Sequence, residues 1–181
     1  KLVILGHHYQ QDDVIRFADF TGDSFKLSQL AADSVKQTGA KYVIFCGVHF
    51  MAESADILTP DDTTVILPDM SAGCSMADMA DYEQTVDAWE AINDSLKGTN
   101  SRVIPICYMN SSAAIKAFCG EHGGAVCTSS NCDKIFDWAL AGGDEPLKDG
   151  EQIRILFLPD QHLGRNTAAA CGFDVKTQMI V

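Results

Sequence analysis

Short apolar runs rich in Val and Ile alternate along this chain with longer stretches whose apolar residues recur at three- and four-residue spacing. The short runs, at 2–6, 42–46, 64–67, 102–107, 125–127 and 153–158, read as buried strands. The longer ones predict helices at 10–19, 25–38, 50–58, 84–97, 111–119, 131–141 and 164–171. Such β/α alternation predicts an α/β fold with small parallel sheets, in repeated three-layer αβα units. Polar breaks fall at Asp61-Asp62-Thr63 and at Lys97-Gly98-Thr99-Asn100. The second comes after a long polar helix and sets the expected boundary: a first α/β domain over 1–97 and a second over 98–181.

The two halves carry the same order of features. In the first, a strand ends in His7-His8-Tyr9, Asp23-Ser24 precedes a helix, and the strand 42–46 runs into His49. In the second, a strand ends in Tyr108-Met109-Asn110, Thr128-Ser129 precedes a helix, and the strand 153–158 runs into His162. Tyr, then Ser at a helix start, then His after a strand therefore occurs twice, as expected of a duplicated, pseudo-symmetric α/β unit.

Composition narrows the class of partner. The 181 residues suffice for one medium domain or two small ones, and 46% hydrophobic content with a mean hydropathy of +0.01 is that of a globular protein. A net charge of −12 with no Lys/Arg cluster argues against nucleic acid and anionic membrane as partners. An anionic substrate would have to be held by local devices, such as helix N-termini and hydroxyls. No run approaches the ~20 apolar residues of a membrane span, and no signal peptide opens the chain. Lys1-Leu2-Val3-Ile4-Leu5 reads as the middle of a strand without an initiator Met, so a longer chain is expected. The seven cysteines (46, 74, 107, 119, 127, 132 and 171) form no even disulfide framework and scatter in apolar runs, which speaks for a reducing cytosol, and the lack of a CxxC pair speaks against a thiol-redox protein.

Ligands of open parallel sheets gather at the carboxyl ends of strands, where His7, Tyr9, Cys74, Tyr108 and Asn110 are expected. Ser24 and Ser129 are expected at helix starts, as N-caps first and as anion contacts second. His7 and Tyr9 form a credible acid–base pair. Cys74 differs from the other cysteines: it lies on a loop of small residues, Ser71-Ala72-Gly73-Cys74-Ser75, rather than in an apolar run. The remaining six read as packing residues. Glu53 reads either as a catalytic carboxylate or as a first-turn acid stabilised by its helix dipole.

Several blocks together resemble quinolinate synthase, the iron–sulfur enzyme of pyridine nucleotide biosynthesis. They are Ile4-Leu5-Gly6-His7-His8-Tyr9-Gln10, Gly22-Asp23-Ser24, His49-Phe50-Met51-Ala52-Glu53, Leu67 through Met79, Tyr108-Met109-Asn110-Ser111-Ser112, Cys127-Thr128-Ser129-Ser130-Asn131, and Leu158-Pro159-Asp160-Gln161-His162-Leu163-Gly164-Arg165-Asn166. The resemblance implies three similar α/β domains around a [4Fe–4S] cluster, each giving one cysteine and leaving one iron open as a Lewis acid. It implies condensation of iminoaspartate (iminosuccinate) with dihydroxyacetone phosphate to quinolinate, with loss of phosphate and water, in the cytoplasm. Aspartate oxidase or aspartate dehydrogenase would supply the iminoaspartate.

By the same resemblance Cys74 is a cluster ligand, and His7, Tyr9 and Tyr108 are catalytic. His7, Asp23, Ser24, Tyr108, Met109, Asn110 and Ser129 line the substrate site. The family's second cluster cysteine would fall beyond Val181, and its third domain beyond that. The expectation is therefore a fragment with about half of the enzyme, inactive alone, its remaining cluster ligands lying outside this chain. The competing expectation is a non-catalytic α/β module that binds a small anion without a cluster.

Overall fold

A computed structural model describes residues 1–180. Its compact units are Lys1–Ser75 and Met76–Val181. In the first unit the strands are β1 (Leu2–His7), β2 (Phe20–Gly22), β3 (Tyr42–Cys46) and β4 (Thr64–Ile66), all parallel, in the order β2-β1-β3-β4. The helices are α1 (Asp12–Ile15), α2 (Ser24–Thr38) and α3 (His49–Leu58). Alternation along β1 and β3 puts Val3 beside Val43 and Leu5 beside Phe45, all buried. Helix α2 buries Leu27, Ala31 and Val35 at four-residue spacing, the stripe that lets it pack on β1 and on α3. Gly39, in the left-handed conformation at φ 65°, ends it.

In the second unit, α4 (Tyr82–Ser95) leads into β5 (Ser101–Tyr108), α5 (Ala113–Glu121), β6 (Ala125–Cys127), α6 (Cys132–Leu140), β7 (Gln152–Leu158) and α7 (Gln161–Ala170). The parallel sheet has the order β6-β5-β7. The central β5 is buried from Val103 to Cys107. One core gathers Ile104, Ile106, Cys127, Cys132, Phe136, Ala139 and Ala168, and another Cys107, Ile115, Phe118, Cys119 and Leu158.

Each unit thus places its second strand, its first and its third side by side in that order, as a duplicated unit would. The α/β class with small parallel sheets stands as expected. The unit limits differ from the 97/98 boundary that the polar break suggests, because α4 belongs with the second unit. Val86 and Trp89 of α4 pack against the Phe118 core, with the Trp89 and Phe118 rings edge to face at 5.7 Å. The few large apolar residues of this largely polar helix do not reveal which core will take them. Among the described residues no helix is long and apolar enough to cross a membrane.

Candidate functional site

In the first unit the parallel register brings the end of β1 beside the end of β2, His7 opposite Gly22. The next residue locks the two together. His8 donates its backbone N–H to the Gly22 carbonyl at 3.2 Å, and its Nδ1 lies 3.0 Å from the same oxygen. A carbonyl only accepts, so Nδ1 of His8 carries the proton. His7 is 5% exposed, whereas Tyr9 is 83% exposed. The His7 and His8 rings stack at 4.5 Å, and the Tyr9 ring meets both edge to face, at 4.7 and 4.4 Å. The Tyr9 backbone N–H reaches His7 Nδ1 at 3.4 Å, which leaves Nε2 as the protonated nitrogen of a neutral ring. Burial, first, and the adjacent His8, second, hold the His7 pKa below its ordinary value, with Asp23 opposing them.

That shift has a consequence for stability. The unfolded chain takes up the His7 proton more readily than the folded one, so stability is full above about pH 6.5 and falls as pH drops below it. Thermal midpoints measured between pH 7.5 and 5.5 should fall less in His7→Gln than in wild type. Equal slopes would show that His7 titrates normally.

Asp23 caps α2, accepting from the Lys26 N–H at 2.8 Å, and Ser24 is the first helical residue. The expected cap role therefore passes from Ser24 to Asp23, and one N–H of that helix start is already satisfied by a carboxylate.

The second unit repeats this junction. Tyr108 ends β5 opposite Cys127 of β6, and Met109 donates its N–H to the Cys127 carbonyl at 2.8 Å, as His8 does to Gly22. Asn110 comes next, half-buried, and the buried Ser111 hydroxyl donates to the Tyr108 carbonyl at 2.8 Å. By register, Tyr108 corresponds to His7 and Asn110 to Tyr9, while Ser129 corresponds to Ser24. Residue order alone matches Tyr9 with Tyr108, a slip of two residues. Ser129 is exposed on a turn three residues before α6 rather than at the helix start. Asn131 builds that turn: its Oδ1 accepts from the Thr128 N–H at 2.6 Å and lies 3.0 Å from the Thr128 hydroxyl.

Sequence reasoning does not single out His8 or Asn131, although both stand inside the family blocks. The doubled histidine and the Asn after three hydroxyl residues are the available signals.

Cys74 lies half-buried on the loop after β4. Asp69 shapes this loop by accepting from the Ser71 N–H at 2.9 Å and the Ser71 hydroxyl at 2.6 Å. The Ala72 carbonyl then accepts from the His49 N–H at 2.8 Å, tying the loop to the start of α3. His49 faces Glu53 one turn on, with Nδ1 3.6 Å from Oε1. Cys107, Cys119, Cys127 and Cys132 are buried by contrast. Among the described residues no three His, Cys, Asp or Glu side chains converge to hold a metal ion. Cys74 is thus a single thiol of the donor type that iron–sulfur clusters take, and it is not part of a metal-binding group among the described residues.

A family model described as "Quinolinate synthetase A protein" matches residues 1–181. A quinolinate synthase of Acidobacterium capsulatum is 58% identical over 178 residues, which is 98% of this chain and 44% of the relative. Quinolinate synthases of Streptomyces coelicolor and Geobacillus kaustophilus are 56% and 58% identical, covering 93% and 95% of this chain and 39% and 43% of their own lengths. The chain spans less than half the length of these curated relatives. A match that runs from the first residue to the last, through both strand-end junctions and the Cys74 loop, leaves one assignment: this chain belongs to the quinolinate synthase family.

Proposed function

We propose that the chain is part of a quinolinate synthase that condenses iminoaspartate with dihydroxyacetone phosphate, losing phosphate and water. The observation that supports this reading most is the duplicated junction. In each unit, residues that the family resemblance names stand at, or within three residues of, the ends of two adjacent parallel strands joined by one backbone hydrogen bond from the residue after the strand, while Cys74 lies apart on the loop after β4. Strand ends of this kind are where α/β proteins bind small ligands.

The roles derive from residue chemistry. His7, held neutral with Nε2 protonated, is fit to donate a proton or a hydrogen bond to a departing hydroxyl. Tyr9, edge to face against it and exposed, is a phenol able to exchange that proton with a bound substrate. Tyr108 is the corresponding strand-end group of the second unit. Ser24, Ser129 and Asn110 are neutral donors for carboxylate or phosphate, suited to a chain of net charge −12 that would repel anions at long range. Asp23 can accept from a substrate hydroxyl or nitrogen, and Met109 contributes backbone to the same strand end. Cys74 would contribute one thiolate to a [4Fe–4S] cluster, and when bound the cluster supplies a Lewis acid that polarises a hydroxyl or carbonyl for dehydration. Seven free cysteines accord with a reducing cytoplasm, where an aspartate oxidase or aspartate dehydrogenase would supply the unstable imine.

The reading is tested in a bacterium deleted for its own quinolinate synthase and starved of nicotinate. The full-length gene should restore growth, and the same gene with Tyr9→Phe and Tyr108→Phe should not. Growth restored equally by both would contradict the assigned roles. Failure of the wild-type gene, with folded protein present that carries no iron, would favour the non-catalytic anion-binding module.

A further inference from the structure

We propose that Cys127 and Cys132 are a reversible oxidation site, converted by a peroxide-class oxidant into a disulfide that clamps the Thr128–Asn131 turn. Cys127 is the last residue of β6 and Cys132 the first of α6, and their sulfurs lie 3.7 Å apart with the Cys127 thiol donating. The sulfurs are thus in contact and need only close to the ~2.05 Å of a bond. They are the two ends of a turn already held by Asn131. Both thiols lie inside one small core with Phe136 and Ala139.

The chemistry balances as a two-electron step. The Cys132 thiolate attacks one peroxide oxygen, breaking the O–O bond to give a sulfenic acid and one water. The Cys127 sulfur then attacks the sulfenic sulfur and expels the second water. Two thiols and one peroxide become one disulfide and two waters, and two equivalents of a small thiol reverse it.

Cys132 is the better attacking group of the two. The hydrogen bond from Cys127 holds its pKa down to about 7 against burial and Asp133, with the Thr167 hydroxyl of α7 helping. That same donated bond, and burial, push the Cys127 thiol up. Cys107 of β5, Cys171 at the end of α7, and Asp133 are the other titratable groups acting on this cluster. Cys132 is 3% exposed, so access comes through opening of the first turn of α6. That turn has no side-chain cap, because Asn131 spends its oxygen on Thr128. Cys107 and Cys119 also share a hydrogen bond, but they lie within β5 and α5 and bracket no turn.

The clamp would fix the backbone that carries Ser129, a consequence that rests on the proposed function, whereas the disulfide itself does not. The test is thiol mapping of the full-length protein, reduced, treated with hydrogen peroxide, alkylated and digested. A linked peptide joining Cys127 to Cys132 should appear, vanish after a small-thiol reductant, and form roughly tenfold faster at pH 8 than at pH 6. Cys127 and Cys132 remaining fully alkylatable after the half-buried Cys74 has been oxidised would overturn the proposal. So would a linkage of either to another cysteine. The wild-type map decides the matter whether or not the protein makes quinolinate, and Cys132→Ser, if it folds, should abolish the linked peptide.

Discussion

In the full-length protein, Cys74→Ser should remove the broad visible absorbance of a [4Fe–4S] cluster and lower quinolinate formation by at least ~100-fold, the scale of losing a Lewis-acid metal. The side chain changes by one atom, on a loop shaped by Asp69 and Ser71 rather than by packing of the thiol. Folding should therefore survive while iron binding does not. Cys46→Ser at the end of β3 should retain the cluster, and so should Cys127→Ser in the β6 core, provided it folds. Iron and acid-labile sulfide, measured anaerobically, separate the three variants. A Cys74→Ser protein with a full complement of iron would remove Cys74 from the ligand set.

The largest expected effect on the fold comes from Gly124→Ala. A Cβ at position 124 would lie 2.0 Å from the Pro105 carbonyl oxygen and 2.9 Å from that of Cys119. Both are backbone atoms, one in the central strand β5 and one in α5, so neither can swing aside as a side chain would. The close approach has a cause. Pro105 has no N–H to give a neighbouring strand, and the ladder between β5 and β6 begins only at Ile106. Gly124 crosses at the step before it and donates instead to the Cys119 carbonyl at 2.7 Å. Alanine there should cost on the order of 3 kcal/mol or more and lower the thermal midpoint by roughly 10 °C. Gly120→Ala on α5, with open space around the new methyl, should leave stability unchanged or slightly raised. Equal melting of the two variants would refute the steric account.

The long β-branched strands and amphipathic helices are legible in the sequence because burial and period agree in them, as in β3 and α2. The strand β2 is not. Phe20-Thr21-Gly22 is too short to carry a pattern, and what fixes it is non-local: Asp19 donates its backbone N–H to the Ile4 carbonyl and accepts the Ile4 N–H on its carboxylate, both at 2.8 Å. Helix α1 is shorter than the polar stretch 10–19 promises, because it buries no residue of its own. The candidate residues are legible through the family blocks, but their equivalence is not. Matching Tyr9 with Tyr108 rests on residue type, whereas the ladder pairs His7 with Gly22 and Tyr108 with Cys127. Register, which depends on partner strands, decides which side chains end up in corresponding positions.

The decisive assay is the joint yield of quinolinate and inorganic phosphate from iminoaspartate and dihydroxyacetone phosphate, under anaerobic conditions, with the iron-loaded full-length protein. Equal amounts of the two products are expected, and none from the isolated 181-residue chain, which holds one thiolate of the proposed ligand set. Phosphate without quinolinate, no turnover by fully loaded protein, or quinolinate made by the isolated chain would contradict the proposed function.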